Sequence, residues 1–178
     1  MYLLGAVQTI QQIKANLADY SARGKDVFDL FERPTRCVCS DGEVRFHQHM
    51  TYSRWVDDLL IWIPVYLCYG CGRSVSVLPS FVLPYRQHSV ARADEYFGTS
   101  ERERCELPGH EVLRRSWYAW KRRWGQVVLM AGVAARDPPA AWEALRRWKG
   151  SLEASQMALV GQLGESLLGT YRIHARAK

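Results

Sequence analysis

The sequence contains no hydrophobic run long enough to cross a membrane. Its two longest apolar runs, residues 59–68 and 127–135, fall far short of the roughly 20 residues that a bilayer-spanning helix needs. The N-terminus turns polar by Gln8 and lacks the basic start and apolar stretch of a signal peptide. We therefore expect a cytoplasmic protein whose thiols stay reduced.

Acidic residues are scarce relative to basic ones. The 178-residue chain has 18 Asp and Glu against 24 Lys and Arg, which gives a formal net charge of +6. This excess leans towards an anionic partner, although many basic proteins bind no nucleic acid. The chain also lacks repeats and low-complexity tracts, and its seven tryptophans favour a packed core. Its length suits one domain or two small ones.

Cysteine is used sparingly, but four of the five cysteines form two close pairs. Cys37 is paired with Cys39, and Cys68 with Cys71. In a reducing compartment such pairs indicate metal ligands rather than disulfides. Zinc prefers four thiolate or imidazole ligands in a tetrahedron, and two tight turns supply them with little strain. The sequence therefore predicts a zinc site made by all four.

The two pairs differ in spacing. Cys68-x-x-Cys71, with glycines at 70 and 72, has the standard form of a zinc-binding turn, because the glycines let the backbone fold back towards the sulfurs. Cys37-x-Cys39 is one residue shorter than the usual partner turn and chelates with tighter geometry. The alternative interpretation is a set of unconnected buried thiols, which are common in cores.

Three further residues bear on this site. His47 and His49 are reserve ligands if a cysteine of the first pair does not bind. Cys105 stands alone in a charged segment and is expected to be an unliganded thiol. No additional group is spaced to leave an open coordination position, so the predicted zinc is structural and the protein non-catalytic.

Before residue 34 the pattern predicts a short strand over residues 2–7 and an amphipathic helix over residues 9–22. The helix prediction depends on a capping box of Thr9 and Gln12, followed by apolar residues at helical spacing. A short helical turn is expected over residues 27–31. Pro34 ends this part of the chain.

The residue pattern predicts strands between residues 34 and 86 and helices after residue 89. The expected strands lie at residues 45–47, 52–56, 60–67 and 74–78, with a hairpin turn at Asp57 and Asp58. Pro64 within the third suggests an edge strand or a bulge. The expected helices lie at residues 90–97, 111–124, 138–150 and 151–168, with residues 98–109 as a polar loop.

These elements together predict an α+β fold. It consists of a small zinc-ribbon β-hairpin unit flanked by an N-terminal helix and a C-terminal helical segment. The predicted division of the chain is 1–33 for the N-terminal strand and helix, 34–86 for the ribbon, 87–125 for a basic helical segment and 126–178 for the C-terminal helices.

The helix predicted over residues 111–124 combines an aromatic seam with a basic outer surface. Leu113, Trp117, Trp120 and Trp124 recur at spacings of four, three and four, so they share one face. The basic side chains spread over the rest of the helix. Arginines on such a surface contact phosphates for affinity and guanine edges for sequence. The alternative is an ordinary solvated helix, since Arg and Lys favour helices and cover exposed faces.

The region around the cysteine pairs resembles the N-terminal zinc ribbon of bacterial insertion-sequence transposases. The resemblance lies in Cys37-Val-Cys39, in Arg45-Phe-His-Gln-His49 and in Tyr52-Ser-Arg54. Residues 63–86 are similar to a family of short bacterial proteins of uncharacterised function that share this ribbon and its proline-bounded exit. The chain departs from that pattern in its C-x-C turn and in Met50, where the family has glycine.

In that family a helical segment resembling a helix-turn-helix follows the ribbon, and residues 113–124 sit where its last helix would be. The chain has no triad of acids at strand ends, so the resemblance implies DNA recognition without DNA cleavage. It implies a nucleoid-associated protein of a mobile genetic element whose partner is double-stranded DNA.

On this hypothesis the basic helix supplies the main DNA contacts and the ribbon supplies secondary ones. The predicted helix contacts are Arg114, Arg115, Tyr118, Lys121 and Arg122, and the predicted ribbon contacts are Arg45, Arg54 and Arg73. The rival hypothesis is a protein-interaction or adaptor module of a larger complex. Its basis is that zinc ribbons serve as docking platforms and that Leu152, Leu159, Leu163 and Leu167 are spaced to bind a partner helix or a second copy.

Overall fold

The structure is a computed structural model that describes residues 7–37, 39–163 and 166–168. It contains a four-stranded sheet and a set of helices, so the predicted α+β class is confirmed. The strands are β1 (Val7–Gln11), β2 (Phe46–Val56), β3 (Leu59–Cys68) and β4 (Ser74–Pro79). The helices are α1 (Leu17–Ala22), α2 (Val90–Gly98), α3 (Glu101–Arg104), α4 (His110–Ala131), α5 (Pro138–Trp148) and α6 (Leu152–Leu163).

The sheet has the strand order β1-β4-β3-β2, so the first strand in sequence pairs with the last. β1 runs parallel to β4, while β2, β3 and β4 form an antiparallel meander. Asp57 and Asp58, both in the left-handed region with φ of 47° and 65°, form the tight turn between β2 and β3. The predicted hairpin turn is thus confirmed, and a bulge at residues 48–50 joins the two predicted pieces of β2 into one strand.

The predicted helix over residues 9–22 is wrong in its first half. Residues up to Gln11 form β1, in which Ile10 pairs with Leu78 and is buried in the core. The strand is more stable than the helix here because strand pairing gives the backbone hydrogen-bond partners and also buries apolar side chains. The capping signal would stabilise only one turn of helix. The helix begins at Leu17, where the side chain of Asn16 accepts a hydrogen bond from the Asp19 amide at 2.9 Å. The predicted strand at residues 2–7 lies outside the described residues except for Val7.

Pro64 lies in an inner strand, not in an edge strand. β3 pairs with β4 only over residues 65–67, so Pro64 is the last residue before that pairing begins, and it pairs with Thr51 of β2. The predicted bulge is on β2. The missing amide hydrogen of proline is tolerated because this part of β3 has a partner strand on one side only.

The helices differ from their predicted bounds mainly at their ends. α4 continues through Gly125 to Ala131 and ends at Gly132, which adopts φ 67°. α5 begins as predicted, with the Asp137 carboxylate accepting from the Ala140 amide at 2.8 Å. The predicted polar loop contains the short helix α3, and residues 166–168 are not helical, although the last helix was predicted to extend over them. The predicted turn at residues 27–31 is confirmed by a 3₁₀ turn over Phe28–Leu30.

Two clusters of buried side chains form the core. One lies around the sheet and includes Tyr20 and Tyr66, and the other lies among the helices and includes Trp120 and Trp142. α6 contributes to both, since Val160 belongs to the first cluster and residues 152 and 159 to the second. The predicted boundary at 33/34 therefore falls inside the sheet cluster, and the one at 125/126 inside the helical cluster. The predicted boundary at 86/87 lies close to the point where the chain passes from the sheet cluster to the helical cluster. No helix in the described part of the chain is long and apolar enough to span a bilayer.

Candidate metal centre and nucleic-acid interface

The first cysteine pair lies in a small closed loop just before β2. Arg36 and Glu43 form an isolated antiparallel bridge that closes the neck of this loop. Within it, the Ser40 amide donates to the Cys37 carbonyl at 3.2 Å, which makes a tight turn around the pair. The C-x-C spacing therefore holds both sulfurs on one turn despite the missing residue.

The second pair lies in the turn that leads from β3 to β4. The Gly72 amide donates to the Cys68 carbonyl, and the Cys68 amide donates to the Arg73 carbonyl, both at 2.9 Å. Gly72 adopts φ 67°, a left-handed conformation that glycine adopts without steric cost. Gly70 lies against the first turn, since a Cβ added there would be in van der Waals contact with the Cys39 Sγ at 3.4 Å.

The four cysteine sulfurs converge at one end of the β2–β3 hairpin. Sγ of Cys37 lies 3.5 Å from that of Cys71, and Sγ of Cys39 lies 3.7 Å from that of Cys68. All four sulfurs lie within 4.8 Å of one another. A tetrahedron of thiolates with zinc–sulfur bonds of about 2.3 Å has edges of about 3.8 Å, so the observed set matches it in size. The thiols are free, and the distances exclude disulfides, which need about 2.05 Å.

The charge states of these thiols also favour a cation. Burial raises the pKa of Cys68, but hydrogen bonds from the amides of Cys71 and Gly70, together with the neighbouring thiols, outweigh it and lower the pKa to about 7. The pKa values of Cys39 and Cys37 shift in the opposite direction. Hydrogen bonding with Cys37 and then Cys71 raises the pKa of Cys39 to about 12, and burial raises that of Cys37. The Cys68 thiolate forms readily, while Cys37 and Cys39 resist ionisation beside it, so a bound dication would be needed to hold these thiols ionised together.

The reserve ligands lie outside this cluster. His47 stacks against Tyr69 with ring centroids 4.6 Å apart, and His49 lies on the exposed side of the β2 bulge. Neither belongs to the group of side chains close enough to share an ion. Cys105 is exposed after α3, with its Sγ 3.9 Å from the Glu101 carbonyl oxygen, and lies outside the cluster as predicted.

The aromatic seam of α4 faces the helical core as predicted. Leu113, Trp117 and Trp120 are buried, and Trp124 is partly buried against the same cluster. The Trp120 indole donates to the Pro138 carbonyl at 2.9 Å, so its buried N–H has a partner. These contacts fix the rotation of α4 about its axis and hence which side chains it presents outward.

The outer surface of α4 carries the basic side chains that the sequence analysis selected. All five predicted contacts on the helix are exposed: Arg114, Arg115, Tyr118, Lys121 and Arg122. At 100° per residue they fall within one sector about 120° wide, which we call the basic stripe. Arg114 forms an ion pair with Glu111 at 3.0 Å, and the Lys121 ammonium lies 5.7 Å from the centre of the Tyr118 ring.

The predicted secondary contacts fall into two places. Arg45 and Arg73 are exposed beside the metal centre, where their carbonyls accept hydrogen bonds from Tyr69 and Cys68. Arg54 lies near the other end of β2, half-buried, and its guanidinium donates to the carbonyls of Leu83 and Arg86. Arg54 is therefore held by the protein itself and is a less accessible phosphate contact than the other two.

Sequence reasoning missed two residues next to Arg54. Arg86 and His88 lie on the loop between β4 and α2, and His88 is only 3% exposed. No spacing rule singles them out, because a loop of irregular conformation carries no periodicity. Their proximity to Arg54 depends on the long-range contact between this loop and the β2–β3 turn.

The leucines proposed to bind a partner helix are largely used within the chain. Leu152, Leu159 and Leu167 are buried in the helical cluster, with 4% exposure at most. They are unavailable to a partner, and this corrects the sequence-based expectation of association through them. The side chain of Leu163 lies outside the described residues.

Comparison with known proteins gives no match: no family model, no curated protein and no solved structure is significantly similar to this chain.

Proposed function

We propose that this chain is a non-catalytic, zinc-dependent DNA-binding protein associated with a mobile genetic element. The observation that carries the DNA-binding proposal is the basic stripe of α4, whose opposite face is fixed in a tryptophan core. The four-cysteine cluster supports the zinc dependence. The link to a mobile element has as its support the resemblance of residues 37–39, 45–49 and 52–54 to the transposase zinc ribbon.

Zinc has a structural role in this proposal. Cys37, Cys39, Cys68 and Cys71 would hold the ion and fill its tetrahedral coordination, which leaves no open position for a substrate. The ion supplies positive charge that keeps the four thiols ionised. The chain's own turns then tie the loop at residues 36–43 to the β3–β4 turn, and this fixes the exposed Arg45 and Arg73 beside it.

The basic stripe would make the principal contacts with double-stranded DNA. Its cations are exposed, and among the described residues Glu111 is the one acidic side chain that forms an ion pair with it. α2 packs against α4 through Phe97 and Trp117, whose rings lie 4.9 Å apart, and α3 lies between the two helices in the chain. This arrangement supports the helix-turn-helix-like part of the proposal. Phosphate contacts from such a stripe give affinity, and base-edge contacts give sequence preference.

The test is a duplex-binding titration with an Arg115→Ala/Lys121→Ala variant over a range of salt concentrations. Both side chains are exposed and form no ion pair within the described residues. Each lost phosphate contact reduces the slope of log affinity against log salt by about 0.9, so we expect a reduction of about 1.8 together with weaker binding.

The matched control is Arg147→Ala/Lys149→Ala, which removes the same charge from exposed positions at the end of α5. The control should keep the wild-type slope. Equal losses in the two variants would show that net charge, not the stripe, governs binding. If the chain binds single-stranded DNA or RNA more tightly than duplex DNA, the single-stranded nucleic acid is its partner.

The alternative function is a protein-interaction module, and one observation favours it. β2 is an eleven-residue edge strand, and it exposes two large apolar side chains, Met50 and Trp55. An open strand edge of this length can pair with an extended peptide. If this alternative holds, the Arg115→Ala/Lys121→Ala variant keeps its partner affinity and Trp55→Ser loses it.

A further inference from the structure

The loop between β4 and α2, residues 83–89, is fixed onto the turn end of the β2–β3 hairpin. The Asp57 amide donates to the Gln87 carbonyl at 3.0 Å, and the Ser89 amide donates to the Asp57 carboxylate at 3.1 Å. The guanidinium of Arg54 donates to the carbonyls of Leu83 and Arg86. With this many cross-links the loop has a defined conformation, and the side chains it carries are held in place.

Three cationic or potentially cationic side chains meet at this junction. Arg54 and Arg86 are half-buried and His88 is buried. Burial, followed by the charges of Arg86 and Arg54, lowers the pKa of His88 to about 4, so the imidazole is neutral at pH 7. Burial and then the charge of Arg122 lower the pKa of Arg86, which puts the end of the basic stripe beside the same junction.

The junction has donors without acceptors. Both ring nitrogens of His88 are buried and have no hydrogen-bond partner among the described residues. Neither Arg54 nor Arg86 forms an ion pair with a carboxylate in the described part of the chain. The nearby carboxylate of Asp57 is engaged by the Ser89 amide. A buried imidazole ordinarily has a hydrogen-bond partner, and the two half-buried guanidinium groups beside His88 favour an anion as that partner.

Backbone strain adds an independent indication. Tyr85 adopts φ 58°, in the left-handed region that a residue with a side chain adopts at a cost of about 1–2 kcal/mol. Such strain persists where the surroundings enforce it, and it is concentrated at ligand sites and switch regions. Here it lies directly before Arg86, and Tyr85 is 65% exposed.

We propose that Arg86, Arg54 and His88 form a binding site for a phosphate group. A guanidinium offers two parallel donors to two phosphate oxygens, and a neutral imidazole adds one N–H donor. The phosphate comes either from a small phosphorylated molecule or from a DNA backbone that also lies along the basic stripe. Only the DNA backbone as the source of the phosphate rests on the proposed function.

This phosphate site is remote from the metal centre. The cysteines lie at the opposite end of the hairpin, nine residues along β3 from Leu59 to Cys68, which corresponds to about 30 Å at roughly 3.3 Å per residue. Phosphate binding and metal binding are therefore separable by experiment. The site also differs from the contacts predicted on α4, since Arg86 and His88 lie on a loop.

The experiment is a titration of the zinc-loaded full-length chain with inorganic phosphate, observed through the imidazole nitrogen resonances of labelled histidines. We expect a saturable shift of the His88 resonances and a rise in the pKa of His88, because a bound anion stabilises the imidazolium. Arg86→Gln should weaken phosphate binding about tenfold or more, as expected for a lost charged hydrogen bond. Arg86→Lys keeps the charge but loses the two parallel donors of the guanidinium, so its phosphate affinity should lie between those of the wild type and Arg86→Gln.

The controls separate this site from general charge effects. Arg147→Gln removes an exposed arginine elsewhere and should leave the phosphate response unchanged. Thermal midpoints of the Arg86 variants report whether the fold persists, since the Arg86 side chain makes no hydrogen bond among the described residues. The proposal is overturned if phosphate gives no saturable shift at His88, or gives the same shift in Arg86→Gln or with chloride.

A second arm identifies the source of the phosphate. If a short duplex displaces inorganic phosphate from His88, and Arg86→Gln weakens duplex binding, the ligand is the DNA backbone. If phosphate binds and the duplex does not displace it, the site takes a small phosphorylated molecule. Loss of duplex binding in Arg115→Ala/Lys121→Ala with an unchanged His88 response shows that the two surfaces act separately. A chain that binds no duplex yet retains the His88 response refutes only the proposed function.

Discussion

At the residue scale, the cysteines show that a C-x-C spacing is compatible with a four-sulfur cluster of the size that a metal ion needs. The C-x-C pair does not have to reach across the site, because each of its sulfurs lies beside a sulfur of the other turn: Cys37 beside Cys71 and Cys39 beside Cys68. Four cysteines therefore suffice for a tetrahedral site without His47 or His49.

Replacing Cys39 by serine should remove a ligand and strongly reduce zinc retention. The loss of affinity should exceed the roughly 10- to 100-fold typical of an outer-shell partner, because a hydroxyl is a poor zinc ligand. Metal analysis after dialysis against a competing chelator measures the effect. The matched control is Cys105→Ser, which also removes one exposed thiol and should retain one zinc per chain. Equal retention in the two variants would exclude Cys39 as a ligand.

His88 should make stability fall with acid. Its pKa is lowered from 6.5 to about 4 in the folded chain, so the unfolded state takes up the proton first as pH falls. The associated stability is complete above pH 6.5 and is lost progressively between about pH 6.5 and pH 4. Urea unfolding at saturating zinc should show a loss of about 2 kcal/mol between pH 7 and about pH 5 that is absent in His88→Gln.

The comparison for this acid effect is His49→Gln, which changes an exposed histidine on β2. The His49→Gln variant should lose as much free energy of unfolding between pH 7 and about pH 5 as the wild type does. An acid loss of the same size in His88→Gln would assign it to other groups, such as the metal-binding thiols.

At the scale of elements, the helix α5 could be predicted from the sequence and β1 could not. The Asp-Pro-Pro start of α5 acts within one turn: the Asp137 carboxylate caps the Ala140 amide, and proline at the first helical position has no amide hydrogen to satisfy. β1 depends on a parallel partner, since Ile10 pairs with Leu78, 68 residues further along. A local pattern carries no information about that pairing, so the capping signal of Thr9 and Gln12 was misleading.

The Asp137 cap gives a measurable contribution to stability. Asp137→Ala leaves the Ala140 amide without its partner and should destabilise the chain by about 1 kcal/mol in urea unfolding. The control is Ser100→Ala at the start of α3, where the side chain makes no capping hydrogen bond to the backbone and the expected change is within about 0.5 kcal/mol. A smaller loss for Asp137→Ala than for Ser100→Ala would contradict this interpretation of the cap.

At the scale of the whole molecule, the chain has a sheet core and a helical core that share α6. The four cysteines and the α4 seam could both be found from the sequence because each has its own regular spacing. The junction of Arg54, Arg86 and His88 could not, because it forms where the loop at residues 83–89 meets the hairpin turn. The same topology puts the metal centre and this junction at opposite ends of one hairpin.

We expect a metal bound at the four-cysteine cluster to support the sheet core. Its two turns flank β2 and β3, and Cys68 is itself buried in the sheet cluster next to Phe46. Without the metal the thiols of the two turns would lose their common partner. The integrity of the sheet, and through α6 that of the helical core, is therefore expected to depend on metal occupancy.

X-ray absorption spectroscopy at the zinc edge of the purified protein tests the four-cysteine zinc site directly. We expect one zinc per chain with four sulfur neighbours at about 2.3 Å and no nitrogen or oxygen neighbour in the first shell. A protein that holds no zinc after purification and zinc loading, or a zinc ion with two or fewer sulfur neighbours, would contradict it.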